Sequence, residues 1–376
     1  MSNTTATPEF IQRRLPIMLQ IEPRMKVSRW LPIWTSIVAV VVALIIGGVL
    51  IALVGGNPFA TYGHIANVAF GSLGGITDTL TKATPLILVG LACSLAFRMK
   101  LWNIGAEGQF FIGAWAASAV VLLPILPPET SPIIFIPVMM IAGLLGGAAW
   151  GFIPGFLKAR FKVNEVITTL MLNYIAVAWN NFWIFAVWSE GGFQMSPMFP
   201  RTAWLPRLSD LAAQIKDFRG LTLHGGFLIA VITAVIVWFI MNRSKWGYEI
   251  RLIGDNPKAA EYAGIPIKRN IILVMMVSGA LAGLAGMSEI SGTVHRLQGA
   301  ISPGYGFTGI IIAWLAKLNP FAVILVSIFF GALLLAGREI QPSGIPKMIQ
   351  GVVLVCLIAS DFFVRNRVRI ARRGEV

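Results

Sequence analysis

Ten apolar runs constrain this chain more than any other feature. They lie at residues 32–54, 76–97, 109–126, 133–157, 165–188, 225–241, 271–290, 301–316, 319–336 and 345–364. A hydrocarbon layer about 30 Å thick needs about 20 helical residues to cross it, and in lipid only a helix or a closed barrel pairs every backbone group of a span. The pattern predicts an all-α integral membrane protein with about ten transmembrane helices. Composition agrees: 12% of the 376 residues are charged, against about 25% in soluble domains.

Charge sets the orientation. If the N-terminus is cytoplasmic, 22 of the 30 Lys and Arg residues fall in inner segments and eight in outer ones, as expected when basic residues near span ends stay inside. Both termini are then cytoplasmic. The chain divides into a basic segment at 1–31, a membrane domain at 32–364 and a basic tail at 365–376, with an external loop at 189–224 and a cytoplasmic loop at 242–270. The net charge of +14 is accounted for by this topology and needs no nucleic-acid partner. The first run follows a long basic segment without a small-residue cleavage site, so a retained helix is expected rather than a signal peptide. Two runs are irregular. Residues 301–316 are short and interrupted by Ser302-Pro303-Gly304-Tyr305-Gly306, which fits a broken helix, and Asp78 and Lys82 point to an outer-interface position for the start of the second run.

Chemistry is limited by what the sequence lacks. There is no G-x-x-x-x-G-K-[ST] loop to cradle ATP phosphates and no H-E-x-x-H. The histidines, His64, His224 and His295, are far apart, and Cys93 and Cys356 sit inside apolar runs. No catalytic constellation, metal site or cofactor site is expected, and transport is the remaining function. Glycines recur every fourth residue at Gly143, Gly147, Gly151 and Gly155, and again at Gly279 and Gly283. Such ridges let backbones approach closely. Because the two would run in opposite directions, an internal inverted repeat is one reading and plain packing the other.

Four segments are candidates for function. In the 242–270 loop, Asp255 or Asn256 can cap a helix, Pro257 suits its first position and Gly264 its left-handed end, giving about two turns. That is too short to be stable alone. Ala259, Ala260 and Ala263 would let a groove on a partner approach its backbone. Between the second and third runs, Asn103, Glu107 and Gln109 lie among glycines, where Glu107 is either a costly intramembrane acid or a solvated loop acid. Asn173 falls deep in the fifth run, as an interhelical bond or a pathway group. The external loop carries Arg201, Arg207, Lys216 and Arg219 among Glu190, Asp210 and Asp217.

Three stretches together resemble a known family. They are Leu101-Trp102-Asn103-Ile104-Gly105-Ala106-Glu107-Gly108-Gln109, Val163-Asn164-Glu165-Val166-Ile167-Thr168-Thr169 and Gly304-Tyr305-Gly306-Phe307-Thr308-Gly309-Ile310. With the Ala259-Ala260 to Gly264 spacing, they resemble permeases of ATP-binding-cassette importers for simple sugars and nucleosides, most closely the nucleoside permeases. Lys258 stands where the older E-A-A consensus has a glutamate. The resemblance implies a permease in a bacterial or archaeal cytoplasmic membrane that carries out no bond chemistry. It also implies cytoplasmic ATPase subunits holding ATP and Mg, a second permease of the same or related sequence, and an external solute-binding protein docking on the 189–224 loop. The short helix would contact the ATPase, and Asn103, Glu107, Gln109 and Asn173 would attend the pathway. The alternative is an ion-coupled transporter using Asp78, Glu107, Glu165, Glu289 and Asp361.

Overall fold

The computed structural model describes residues 17–23, 31–123, 125–337 and 344–372. Thirteen helices are seen among them: α1 (Leu31–Leu53), α2 (Pro58–Phe70), α3 (Leu73–Arg98), α4 (Ala106–Leu122), α5 (Pro132–Phe161), α6 (Glu165–Phe182), α7 (Gly226–Arg243), α8 (Lys245–Asp255), α9 (Pro257–Tyr262), α10 (Ile267–Glu289), α11 (Tyr305–Leu315), α12 (Pro320–Ala336) and α13 (Ile345–Arg365). Each apolar run lies on one of them. Six helices are long and apolar enough to cross a membrane, and four further apolar helices are shorter. The exception to all-α structure is a ribbon at the two ends of the chain, where β1 (Ile17–Pro23) pairs antiparallel with β2 (Asn366–Arg372), Ile17 opposite Arg372.

The chain forms two compact units, residues 1–46 with 351–376, and residues 47–350. The first holds the ribbon and the adjoining parts of α1 and α13, where Trp34, Val38 and Val42 share an apolar hollow with Cys356 and Ala359. The second is the helical bundle. Its lipid-type surface is apolar, with Leu145 on α5, Ile175 on α6 and Phe239 on α7 all exposed. Water would not tolerate such faces in a monomer, whereas hydrocarbon does.

At the centre of the bundle, α3 is buried from Lys82 to Phe97 and packed by α7, α10, α11 and α12. Beside it, the two glycine ridges pack directly on one another. A Cβ at Gly147 would stand 2.1 Å from the Gly279 carbonyl oxygen, one at Gly283 2.2 Å from that of Gly143, and one at Gly151 2.3 Å from that of Met275. The glycines therefore have a packing reason of their own. On the α4 side, a Cβ at Gly113 would stand 2.1 Å from the Gly283 Cα, so α4, α5 and α10 share one tightly closed seam.

Helix starts are set locally. Asn-Pro opens α2, α9 and α12, with Asn57, Asn256 and Asn319 each accepting from a backbone N–H of the first turn and proline at the position whose N–H is free in any case. The 301–316 run resolves as a broken helix. Only Tyr305–Leu315 is α-helical, preceded by Gly304 at φ +105, and these residues rise about 16 Å, half of a bilayer core. Two helices were unforeseen, α2 and α8. Lys82 is buried among its neighbouring helices, only 8% exposed.

Candidate functional site

The Asn103–Gln109 stretch turns α3 into α4 through buried backbone, and its side chains pair inward. Asn103 donates through Nδ2 to Gln109 Oε1 (2.9 Å) and Ser278 Oγ (2.8 Å), and its Oδ1 accepts from Gly105 N and Gln109 Nε2. Ser278 in turn donates to the Ala92 carbonyl of α3. Asn173 of α6 clamps the turn from outside, accepting from Gly108 N (2.7 Å) and donating to Ile104 O (2.9 Å). Methyl-sized groups at Gly105 and Gly108 would collide with Thr169 and Asn173. The four predicted pathway residues are thus gathered in one region, as a hydrogen-bonded junction of α3, α4, α6 and α10.

Glu107 extends that junction to α11. Its Oε2 accepts from Gly306 N at 2.6 Å, and the Ser302 hydroxyl also bonds the carboxylate. Ser302 Oγ accepts in turn from Gly304 N and Tyr305 N. The carboxylate therefore fixes the first turn of the broken helix, satisfying N–H groups that a helix start leaves open. Burial of an acid this deep is costly unless it is bonded, and here it is.

Tyr305, held by that turn, forms one wall of a cavity of about 450 Å³. Beside it on that wall is an ion pair that joins α3 to α10, with Lys82 Nζ 3.2 Å from Glu289 Oε1 and 3.4 Å from the Tyr305 hydroxyl. Thr293, Gln298, Ser302 and Lys347 add polar groups, and Val294, Ile301, Pro303 and Leu334 close the rest. Lys82 and Glu289 are separated by 207 residues, and sequence reasoning did not join them.

Over one end of this cavity, α10 relaxes into a π turn, Ile290–Val294, which frees carbonyls. Arg207 of the 189–224 loop takes them, donating to Gly292 O (2.8 Å) and Thr293 O (3.2 Å) and meeting His295 Nε2. Trp204 stacks on His295 at 3.5 Å, and Leu205 N donates to Ser291 O. Burial, and then the Arg207 charge, pull the imidazole of His295 down to about 4 and that of His224 to about 3. Since His295 Nε2 faces a guanidinium that can only donate, the ring is neutral.

The family model described as "Branched-chain amino acid transport system / permease component" matches residues 75–358, which takes in the junction, the cavity and the loop. The chain belongs to this permease family. It is 36% identical to the glucose ABC transporter permease protein of Haloferax volcanii over 371 residues, covering 96% of each chain. Against the guanosine ABC transporter permease protein of Bacillus subtilis it is 37% identical, covering 86% of this chain and 93% of that one. The nucleoside ABC transporter permease protein of Lactococcus lactis is 33% identical, with 86% and 88% covered. The chain is thus a multi-pass membrane permease of the ABC transporter type.

In this permease the 242–270 loop contains the expected two-turn helix. Asn256 Oδ1 accepts from Ala259 N (3.1 Å), Pro257 opens α9, and Gly264 has φ +71. What holds it is α8, an amphipathic helix whose Gly254 packs on the Arg98 carbonyl at the end of α3. Asn270 secures the loop from behind, accepting from Trp246 Nε1 and donating to Glu249. Ala260 is fully buried, its methyl facing inward. Ala263 is exposed and Ala259 partly so, while Tyr262, 94% exposed, is the prominent side chain that the alanine spacing left unnoticed.

The basic residues of the 189–224 loop also separate into two kinds. Arg201, Lys216 and Arg219 are exposed, with Arg201 over the Trp204 ring at 4.3 Å. Arg207 is instead committed inward to the π turn, a role set by backbone geometry that carries no sequence signal.

Proposed function

We propose that this permease imports nucleosides, with alternating access driven by separate ATPase subunits that bind ATP and Mg. The reading extends to a second permease of the same or related sequence, an external solute-binding protein, and a place in a bacterial or archaeal cytoplasmic membrane. Ten spans with both termini inside would put 242–270 on the cytoplasmic face and 189–224 outside. The observation that carries the reading is the pair of relatives named for guanosine and for nucleosides, which match this chain over most of their length. A polar-walled cavity of about 450 Å³ lies within the usual range of about 300–1,000 Å³ for small-molecule sites and supports it.

In this account Asn256, Pro257, Ala259, Ala263, Gly264 and the newly noted Tyr262 present the ATPase contact. Asn103, Glu107, Gln109 and Asn173 brace the pathway rather than line it. Arg201, Lys216 and Arg219 face the binding protein. A hexose is the second reading, favoured by the glucose relative that matches almost end to end. The ion-coupled alternative loses support from the match to a family of ABC-type permeases; of its candidate acids, Glu165 pairs with Lys158 (2.6 Å), Glu289 with Lys82, and Asp78 accepts from Thr222. The side chain of Asp361 lies outside the described residues.

The test of the solute is competition. In cells expressing the complete transporter, labelled guanosine uptake should be displaced by unlabelled nucleosides and not by glucose or fructose, and displacement by hexoses alone would overturn the nucleoside reading. The topology is tested separately by single cysteines at Ser209 and Ser244 in a background without Cys93 and Cys356. These should label from opposite sides, and labelling from one side would sink the ten-span arrangement.

A further inference from the structure

An ion pair buried in a membrane bundle needs a reason. Its desolvation is costly, and replacing such a pair by apolar residues is often neutral or stabilising, while intramembrane charges mark functional sites. Lys82 and Glu289 do not lie in a closed core, since both reach the 450 Å³ cavity.

The pair also has unused bonding capacity. A carboxylate offers about four lone-pair sites and an ammonium three donors. Among the described residues, Glu289 is met by Lys82 Nζ at 3.2 Å and by Thr293 Oγ1 at a long 3.5 Å. Lys82 has only Glu289 and a long 3.4 Å contact to Tyr305. The wall therefore presents an acceptor and a donor side by side, with the cavity in front of them.

We propose that this wall is the solute-reading subsite of the permease and that it recognises a vicinal diol. Two adjacent hydroxyls donate to the two Glu289 oxygens, and one of their oxygens accepts from Lys82, so that each group keeps a partner in the absence of water. Unpaired, such buried groups would disfavour passage of the solute. The apolar walls at Val294, Ile301, Pro303 and Leu334 receive the less polar part. The proposal deepens the reading of the chain as a nucleoside or sugar permease and rests on it, but it does not depend on which of the two is carried, since ribose and hexoses both have vicinal diols.

The Ser302–Glu107 link gives the junction its part in this. Glu107 holds Ser302 and Gly306, which flank Tyr305, and so positions the third member of the wall without touching solute.

The experiment uses the assembled transporter in proteoliposomes and compares uptake of adenosine with 2′,3′-dideoxyadenosine, and of glucose with 2,3-dideoxyglucose. The binding protein contributes equally to wild type and variant, so a change in the ratio within a pair belongs to the permease. Glu289→Gln should reduce the preference for the diol by about tenfold, and Tyr305→Phe, which leaves the ion pair in place, should reduce it less. The charge-swapped double variant Lys82→Glu/Glu289→Lys restores an ion pair with its polarity reversed. A purely structural pair would regain wild-type preference in it, whereas a diol reader would not. Equal loss of both solutes in Glu289→Gln, or full recovery of the ratio in the swap, overturns the proposal. If Glu289→Gln fails to assemble, an unchanged ratio in Tyr305→Phe does so. Wild-type uptake of glucose without adenosine would end the nucleoside reading alone, leaving the glucose pair to test the subsite.

Discussion

Helix α10 has two unlike faces. Against α5 it has no room for a methyl group: at Gly279 and Gly283 an added Cβ would stand 2.2 Å from the Gly147 and Gly143 carbonyl oxygens. Toward α3 and α11 the same helix opens onto a cavity that holds Lys82, Glu289 and Tyr305. One face is closed backbone to backbone, the other polar and open. The contrast indicates how a bundle in lipid can keep a polar chamber. Helices there gain little from hydrophobic association and are held by close packing and interhelical hydrogen bonds, so the seam supplies the rigidity that the chamber lacks.

The strongest way to break this contrast is to fill the seam. Gly147→Leu drives a side chain into the Gly279 carbonyl, and overpacking of this severity should cost about 3 kcal/mol or more. Loss of monodisperse protein on size-exclusion chromatography checks it, while Gly351→Leu, where no neighbour lies within 4 Å, should be tolerated. Next is the junction that ties the two faces together. Asn103→Ala would leave Gln109 and Ser278 with buried unmet groups, at about 1–3 kcal/mol, seen as a lower thermal transition together with reduced uptake. Glu107→Gln keeps one acceptor and removes the charge, so it should cost less, about 1 kcal/mol, with uptake reduced but measurable.

Similar in stability, but sharp in function, is Gly264→Val. Nothing lies within 4 Å of a Cβ there, so the cost is the left-handed backbone alone, about 1–2 kcal/mol. The bundle should stay folded while ATP hydrolysis and transport come apart. The last effect is one of pH. Unfolded imidazoles charge near 6.5, whereas native His295 and His224 resist protonation down to about 4 and about 3. Between those values the unfolded state binds more protons, so stability is lost as pH falls below about 6.5. The thermal transition should drop from pH 7 to pH 4.5, and less steeply in His224→Gln.

The contrast also separates what the sequence discloses from what it withholds. Signals that act within a turn were legible: Asn256, Pro257 and Gly264 mark the ends of α9, and the break before Tyr305 is written in Pro303 and Gly304. Asn57-Pro58 carries the same start signal and went unread at α2, and the apolar spacing of Trp246, Ile250 and Ile253 could have disclosed α8. The glycine ridges were visible as ridges, but not as partners, because nothing local says which helix fills a groove. Lys82 and Glu289 are 207 residues apart, and their pairing exists only once α3 and α10 are packed. The Arg207 contacts depend on a π turn with no residue signature. Of the site, the junction could be found in the sequence and the chamber could not.

The central claim is that this chain is a passive route powered from outside itself, and one measurement addresses it. The chain is reconstituted in proteoliposomes with its ATPase subunits, second permease and binding protein, and nucleoside uptake is followed with and without internal ATP after ion gradients are collapsed. Uptake should require ATP and should vanish when the ATPase subunits are omitted. Uptake by the chain alone, driven by a proton or sodium gradient and indifferent to ATP, would contradict the account.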